Sequence, residues 1–208
     1  AIVSAYVQKL RTGEGQQIEV SMQEAMTYFM RTRVSMMPGW GERPAPRNGN
    51  GPLAVNNLYP CAGGGPNDHI MIMAVTPRMF RDLCTAMERP ELVTDPRFAT
   101  NEGRVTYTDE LRAEIASWTS RYPKHEVAER LEAAGVPGGP VLDTSELLSD
   151  PHLVARGFVK TIEHPEQGPV PMLGWAPRLS ASEVDLVAAP GLGAHTDEVL
   201  EGFAGKAP

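Results

Sequence analysis

Five histidines (His69, His125, His152, His164 and His195) and two cysteines (Cys61 and Cys84) are the side chains of this 208-residue chain most suited to metal or nucleophilic chemistry. No histidine pair has H-x-x-x-H spacing, and none stands at a ligand spacing from a cysteine, so no metal site is expected. The chain has no Gly-x-Ser-x-Gly elbow and no P-loop lysine motif. Its carboxylates are plentiful but scattered, so spacing names no acid–base pair. What remains is loop chemistry suited to an anion. Arg43, Arg47, Asn48, Gly49, Asn50 and Gly51 place two guanidiniums beside backbone that can approach a ligand closely. Arginine matches phosphate geometry, and glycine-rich backbone can form a nest of N–H donors. A solvated linker is the competing reading of the same residues. The Gly63–Gly65 run is a second glycine turn, read first as part of a hairpin. A methionine stripe (Met22, Met26, Met30, Met36, Met37) reads as core before ligand wall.

The elements that must position these residues fall into three stretches. In the first, Ile2, Val3, Tyr6, Val7 and Leu10 recur at helical spacing and predict a helix over 1–11. That helix has no Met or cap before it, so the chain is expected to start inside an element. Thr12 to Gly15 make a turn, and Gln17 to Val20 alternate as a short strand. Ser21-x-x-Glu24 predicts a capping box that opens a second helix. Met22, Ala25, Met26, Phe29 and Met30 are its expected buried stripe. Helix, turn, strand, helix cannot bury both faces of its own strand and must dock on a sheet made elsewhere. Residues 38–52, with four prolines and four glycines, are a loop.

The second stretch, 53–141, predicts strands at Val55–Tyr59 and His69–Val75 around a wide turn. Thr76-Pro77 caps a helix through Phe80, Leu83, Cys84 and Met87. Asp95 to Phe98 is a turn. One helix opens at Thr108 with Leu111, Ile115 and Trp118 on a face, and another runs from Lys124 to Ala134 until Gly135 stops it. Gly135 to Val141 is extended. The third stretch predicts a short helix at Thr144–Leu148 and another from Asp150. It continues with a hairpin of Phe158–Glu163 and Val170–Leu173, an extended 175–190, and a last helix led by Ala194 to Thr196.

Composition narrows the function. With 20 glycines and 19 prolines the chain is broken into short elements, yet at 41% hydrophobic residues it can fold. A net charge of −7 argues against a nucleic-acid groove or an anionic membrane surface. No apolar run reaches a membrane span, and no basic-then-apolar leader is present. Two cysteines make no disulfide scaffold, so both are expected to be reduced thiols of a cytoplasmic protein.

The order of the motifs resembles the class III CoA-transferases, the group of formyl-CoA transferase, carnitine CoA-transferase and bile-acid-inducible (CaiB/BaiF-like) proteins. Residues Arg11 to Ala25 (RTGEGQQIEVSMQEA) resemble that family's signature. So, in order, do Asp95 to Phe98, Arg104, and Gly135 to Val141. Asp150-Pro151-His152-Leu153 with Arg156-Gly157 follows, and then Pro190 to Gly193 with His195-Thr196. The resemblance implies the C-terminal half of a mixed α/β and α+β fold. Residues 1–40 and 142–208 would belong to a large nucleotide-fold-like domain, and 41–141 would be the linker loop and an inserted small α+β domain. It implies an interlocked homodimer, with acyl-CoA and a small carboxylic acid as substrates and no tightly bound cofactor. The family's nucleophilic aspartate would lie upstream of Ala1, so no catalytic residue is assigned in this chain. Asn48, Gly49, Asn50 and Gly51 match an active-site loop that covers the intermediate, although the run is less glycine-rich than in formyl-CoA transferases. Met22 and Gln23 match positions beside the CoA tunnel, and Arg47 is a candidate for a CoA phosphate. A 2-methylacyl-CoA racemase of the same fold is the alternative. Thr76-Pro77 stands where racemases tend to carry Glu-Pro. A non-catalytic subunit or fragment of a split enzyme is the further alternative.

Overall fold

The computed structural model of the chain describes every residue except Pro38, Trp40, Gly41, Asn48, Asn50, Glu183 and 205–208. It divides into two units, 1–49 and 50–208.

Among the described residues of the first unit are the α-helices α1 (Ile2–Thr12), α2 (Met22–Phe29) and α3 (Arg31–Ser35). The expected strand over Gln17–Val20 does not form: these residues have no ladder partner. An alternating run becomes a strand only when a second edge meets its N–H and C=O groups, and no strand lies among the described residues of 1–49. The capping box at Ser21 is half made. Ser21 Oγ accepts from Glu24 N at 3.4 Å, without the reciprocal bond from the Ser21 amide to the Glu24 side chain. The stripe expected to be buried is exposed, with Met22 at 86% and Phe29 at 74%. No side chain in the three helices is buried. Amphipathic spacing selects a face but does not supply what covers it.

The second unit carries the core. Strands β1 (Asn56–Pro60), β2 (His69–Met73) and β3 (Gly138–Pro140) form an antiparallel sheet in that order. Ile70 pairs with Tyr59 on one side and with Pro140 on the other. Along β2, Ile70 and Ile72 are fully buried while their neighbours are not, the period-2 pattern of a sheet with one covered face. The cover is α4 (Pro77–Ala86), α6 (Thr108–Thr119) and α7 (Lys124–Ala133). These helices bring Phe80, Leu83, Leu111, Ile115, Val127 and Leu131 into one cluster with Tyr59. Thr76 caps α4 as expected, its Oγ1 accepting from Met79 N at 3.2 Å. The strand at Val55–Tyr59 lies one residue later than expected. The strand from His69 ends at Met73, where the Ala74 amide turns to Val55 O.

Helix α5 (Asn101–Thr106) was not foreseen. A Cβ at Gly103 would stand 2.5 Å from Arg97 O, so only glycine lets the preceding turn pack on this helix. Arg104 is buried there. Its Nη1 donates to Phe98 O at 2.6 Å, Nη2 donates to Asn101 Oδ1, and the guanidinium lies 4.5 Å from the centre of the Phe80 ring. Burial lowers its pKa.

Beyond β3 come α8 (Thr144–Ser149), α9 (Pro151–Ala155), the hairpin β4 (Val159–His164) and β5 (Gly168–Leu173), and α10 (Thr196–Ala204). Within the stretch expected to be extended, Leu179 and Ser182 instead pair across a small turn. A complete capping box lies at Asp143 and Glu146. Glu146 is also a hub. Its Oε2 accepts from Asp143 N at 2.8 Å and from Lys124 Nζ at 2.6 Å, and Oε1 lies 3.1 Å from His125 Nε2. Lys124 Nζ also donates to Val141 O at 2.8 Å, which ties α7 to the segment leaving the sheet.

The hydrogen bond from Lys124, then those from the Asp143 amide and His125, hold the Glu146 carboxyl down to about 2 from an ordinary 4.5. The unfolded chain therefore binds this proton more readily than the folded one. The hub's stabilisation is complete above pH 4.5 and is lost as pH falls towards 2. Thermal melts across this window should show a steeper acid loss for the natural chain than for Glu146→Gln, which lacks the titrating group. Parallel melting curves would remove Glu146 from the acid response.

Candidate functional site

Met22 and Gln23 are the first two residues of α2, placed there by the Ser21 cap. Gln23, Glu24, Thr27, Tyr28, Arg31 and Thr32 line an open groove along α2 and α3. They form three adjacent pairs (23/24, 27/28 and 31/32) that recur every four residues, the spacing of one helical face. The Arg31 guanidinium sits 4.2 Å from the centre of the Tyr28 ring, and its Nη1 donates to Tyr28 O at 3.0 Å. Among the described residues Arg31 forms no ion pair, so its remaining donors can meet an anion beside the exposed Gln23 amide. Met22 does not line this groove. Arg31 and Tyr28 were not picked out from the sequence, although their i, i+3 spacing was a signal that could have found them.

Of the loop residues, Arg43 and Arg47 are exposed and Gly49 adopts φ +53° with open space around it. Gly51 adopts φ +130°, and a Cβ there would meet Asn56 O at 3.3 Å. Asn48 and Asn50 lie outside the described residues. Among the described residues, no hydrogen bond joins Arg47 or Gly49 to Met22 or Gln23.

Other candidates resolve into structural roles. The Gly63–Gly65 turn is tied by Asp68, whose Oδ2 accepts from Gly65 N at 2.7 Å. Cys61 and Cys84 are buried free thiols, and burial pushes both up to about 11. They are therefore protonated near neutrality and unsuited to attack. His164 Nδ1 accepts from the Glu166 and Gln167 amides at the hairpin turn. Among the described residues, no three His, Cys, Asp or Glu side chains are grouped to hold a metal. Glu91, Asp95, Asp143 and Glu146 are all held below the usual carboxylate range. Hydrogen bonds from Arg89, Arg97, Ser145 and Lys124 respectively are the largest causes. Such carboxylates are engaged in the fold rather than poised over a cleft.

The model of CoA-transferase family III matches residues 1–196, and the chain belongs to that family. Among its relatives is the formyl-CoA:oxalate CoA-transferase of Streptomyces coelicolor, 35% identical over 98% of this chain and 53% of that protein. The succinyl-CoA–D-citramalate CoA-transferase of Chloroflexus aurantiacus is 34% identical over 95% of this chain and 49% of that protein. A crystal structure of a CaiB/BaiF family protein from Brucella suis superposes with a TM-score of 0.76 at 27% identity. It covers 97% of this chain and 52% of that one. The chain spans about half the length of the curated relatives it matches.

Proposed function

We propose that this chain is the C-terminal half of a cytoplasmic class III CoA-transferase, and that it covers and binds acyl-CoA while the upstream half supplies the nucleophile. The observation that carries this reading is the run of similarity over nearly the whole chain to CoA-transferases twice its length. The reaction moves CoA from an acyl-CoA to a carboxylic acid. An aspartate oxygen of the upstream half attacks the thioester carbonyl. The C–S bond breaks, CoA leaves as the thiolate with the electron pair, and a mixed anhydride remains on the enzyme. The acceptor carboxylate attacks the aspartyl carbonyl of that anhydride and expels the donor carboxylate, and the thiolate then attacks the acceptor's acyl carbonyl, forming the new thioester and releasing the aspartate carboxylate. No proton, metal or redox partner enters the balance.

In that scheme the 48–51 loop lies over the anhydride and excludes water, which would otherwise hydrolyse it. Met22, Gln23 and Arg47 contact CoA. Two copies of the complete protein form a homodimer, and residues 1–40 and 142–208 join the upstream half in the large domain. The relatives' names support transfer over the racemase alternative.

The test supplies an acyl-CoA and an isotopically labelled carboxylic acid to the chain alone and to the chain assembled with its upstream half. Label should enter acyl-CoA only with the assembly. Turnover by the 208 residues alone would overturn the placement of the nucleophile. An assembly that exchanges the acyl α-proton with solvent but moves no CoA would be a racemase.

A further inference from the structure

The segment by which the chain enters the small sheet is hydrogen-bonded at every carbonyl from Gly51 to Val55. Asn57 Nδ2 donates to Gly51 O at 3.0 Å and reaches Leu53 O at 3.4 Å, where the Asn56 amide also donates at 3.2 Å. Thr108 Oγ1, in the first turn of α6, donates to Pro52 O at 3.2 Å and accepts from Ala54 N at 3.1 Å. The Tyr59 hydroxyl donates to Ala54 O, and the Ala74 amide donates to Val55 O at 2.6 Å.

Three of these donors are side chains, so the geometry is not the by-product of a ladder. Asn57 is 6% exposed on a strand where an apolar residue would pack without polar cost. Its Oδ1 is satisfied locally by Leu58 N at 2.9 Å, which leaves both amide hydrogens for the incoming chain. Thr108 uses its hydroxyl in both directions on the three-residue span from Pro52 to Ala54. Gly51, the outermost carbonyl, sits at φ +130°, a conformation that commits the backbone direction at that point and is open to glycine almost alone.

We propose that Asn57 and Thr108 are positioning residues for the transferase reaction: they fix where, and in what direction, the glycine loop leaves the small domain. The inference rests on the reading of that loop as the cover of the intermediate. The clamp touches no substrate and acts through the loop. It therefore governs the rate of turnover from bound substrate rather than affinity for CoA.

The experiment compares Asn57→Ala and Thr108→Val with Thr119→Val in the enzyme assembled with its upstream half. Thr119 is fully buried and donates to Pro60 O at 2.7 Å at the other end of β1, away from the loop. Asn57→Ala and Thr108→Val should lower kcat about tenfold with the KM for acyl-CoA changed less than about twofold. Thr119→Val should lower the Tm by a similar amount and leave kcat within about twofold of the natural enzyme. An unchanged kcat in both clamp variants overturns the proposal, as does a fall in all three that simply follows Tm. Thr108→Val stands alone if Asn57→Ala does not fold. A natural assembly that moves no CoA overturns the transferase reading instead. The clamp is then judged by hydrogen exchange at the Ala54 amide. It should quicken about tenfold or more in Asn57→Ala and in Thr108→Val, and an unchanged rate in both would dismiss it.

Discussion

Hydrogen exchange on the isolated chain should divide it sharply, with residues 1–37 almost unprotected and 53–141 protected about a thousandfold or more. The division follows from where apolar surface is buried. Helices α1, α2 and α3 are 11, 8 and 5 residues long and bury no side chain. Isolated helices shorter than about 12–15 residues are marginal in water, and tertiary packing normally supplies what propensity lacks. Here Ile2, Val3 and Leu10 on α1 and Met22, Met26 and Phe29 on α2 all stand exposed. Between 53 and 141 the case is reversed. Tyr59, Ile70, Ile72, Leu83, Phe98, Ile115 and Val127 are at most 2% exposed and form one cluster. Opening it would expose many side chains, each worth about 1.5–3 kcal/mol of burial. Adding the upstream half should then slow exchange in 1–37. Equal protection throughout the isolated chain would show that its first unit needs no further surface.

Alanine at both Gly49 and Gly51 should lower turnover by about 10- to 100-fold, a barrier increase of about 1.4–2.8 kcal/mol. The two glycines contribute unequally. At Gly49 the φ of +53° is the left-handed region and nothing lies within 4 Å. Alanine there meets only the backbone preference, about 1–2 kcal/mol. At Gly51 the φ of +130° lies outside that region, and the added carbon would press on Asn56 O at 3.3 Å. The single Gly51→Ala variant should therefore account for most of the loss. CoA affinity should barely change, because glycine offers no side chain to hold a phosphate. Arg47→Ala is the contrasting probe. A guanidinium on a CoA phosphate predicts a higher CoA dissociation constant and a weaker dependence of binding on salt. If the glycine variants weaken CoA binding as much as turnover, the loop is a nest for phosphate. If none of these changes alters either quantity, it is a solvated linker.

Much of the fold was legible because its signals are local. Thr76-Pro77 marks the start of α4, and the faces of α6 and α7 follow from apolar spacing. Where the reading failed, the missing information was tertiary. Gln17 to Val20 alternate like a strand, but no partner edge exists for them among the described residues. The stripe on α2 has the spacing of a buried face, yet spacing carries no information about what will cover it. Helix α5 contains a glycine and no clear apolar period, and it forms around the buried Arg104 and the close approach at Gly103. The Asp143–Glu146 capping box has a readable D-x-x-E spacing, but its role as a hub depends on Lys124, which folding brings to it. The proposed site residues divide in the same way. Arg47 and the glycine loop are proposals from residue types alone, Tyr28 and Arg31 carry a readable i, i+3 spacing, and the clamp of Asn57 and Thr108 needed the meeting of β1 with α6.

The most direct test of the central claim is to map the covalent intermediate. The chain assembled with its upstream half is mixed with acyl-CoA, quenched in acid, digested and weighed peptide by peptide. The account predicts an acyl or CoA adduct on one carboxylate of the upstream half and natural masses for every peptide of residues 1–208. An adduct on a carboxylate of this chain would contradict it, and the nucleophile would then have to be sought among its own aspartates and glutamates.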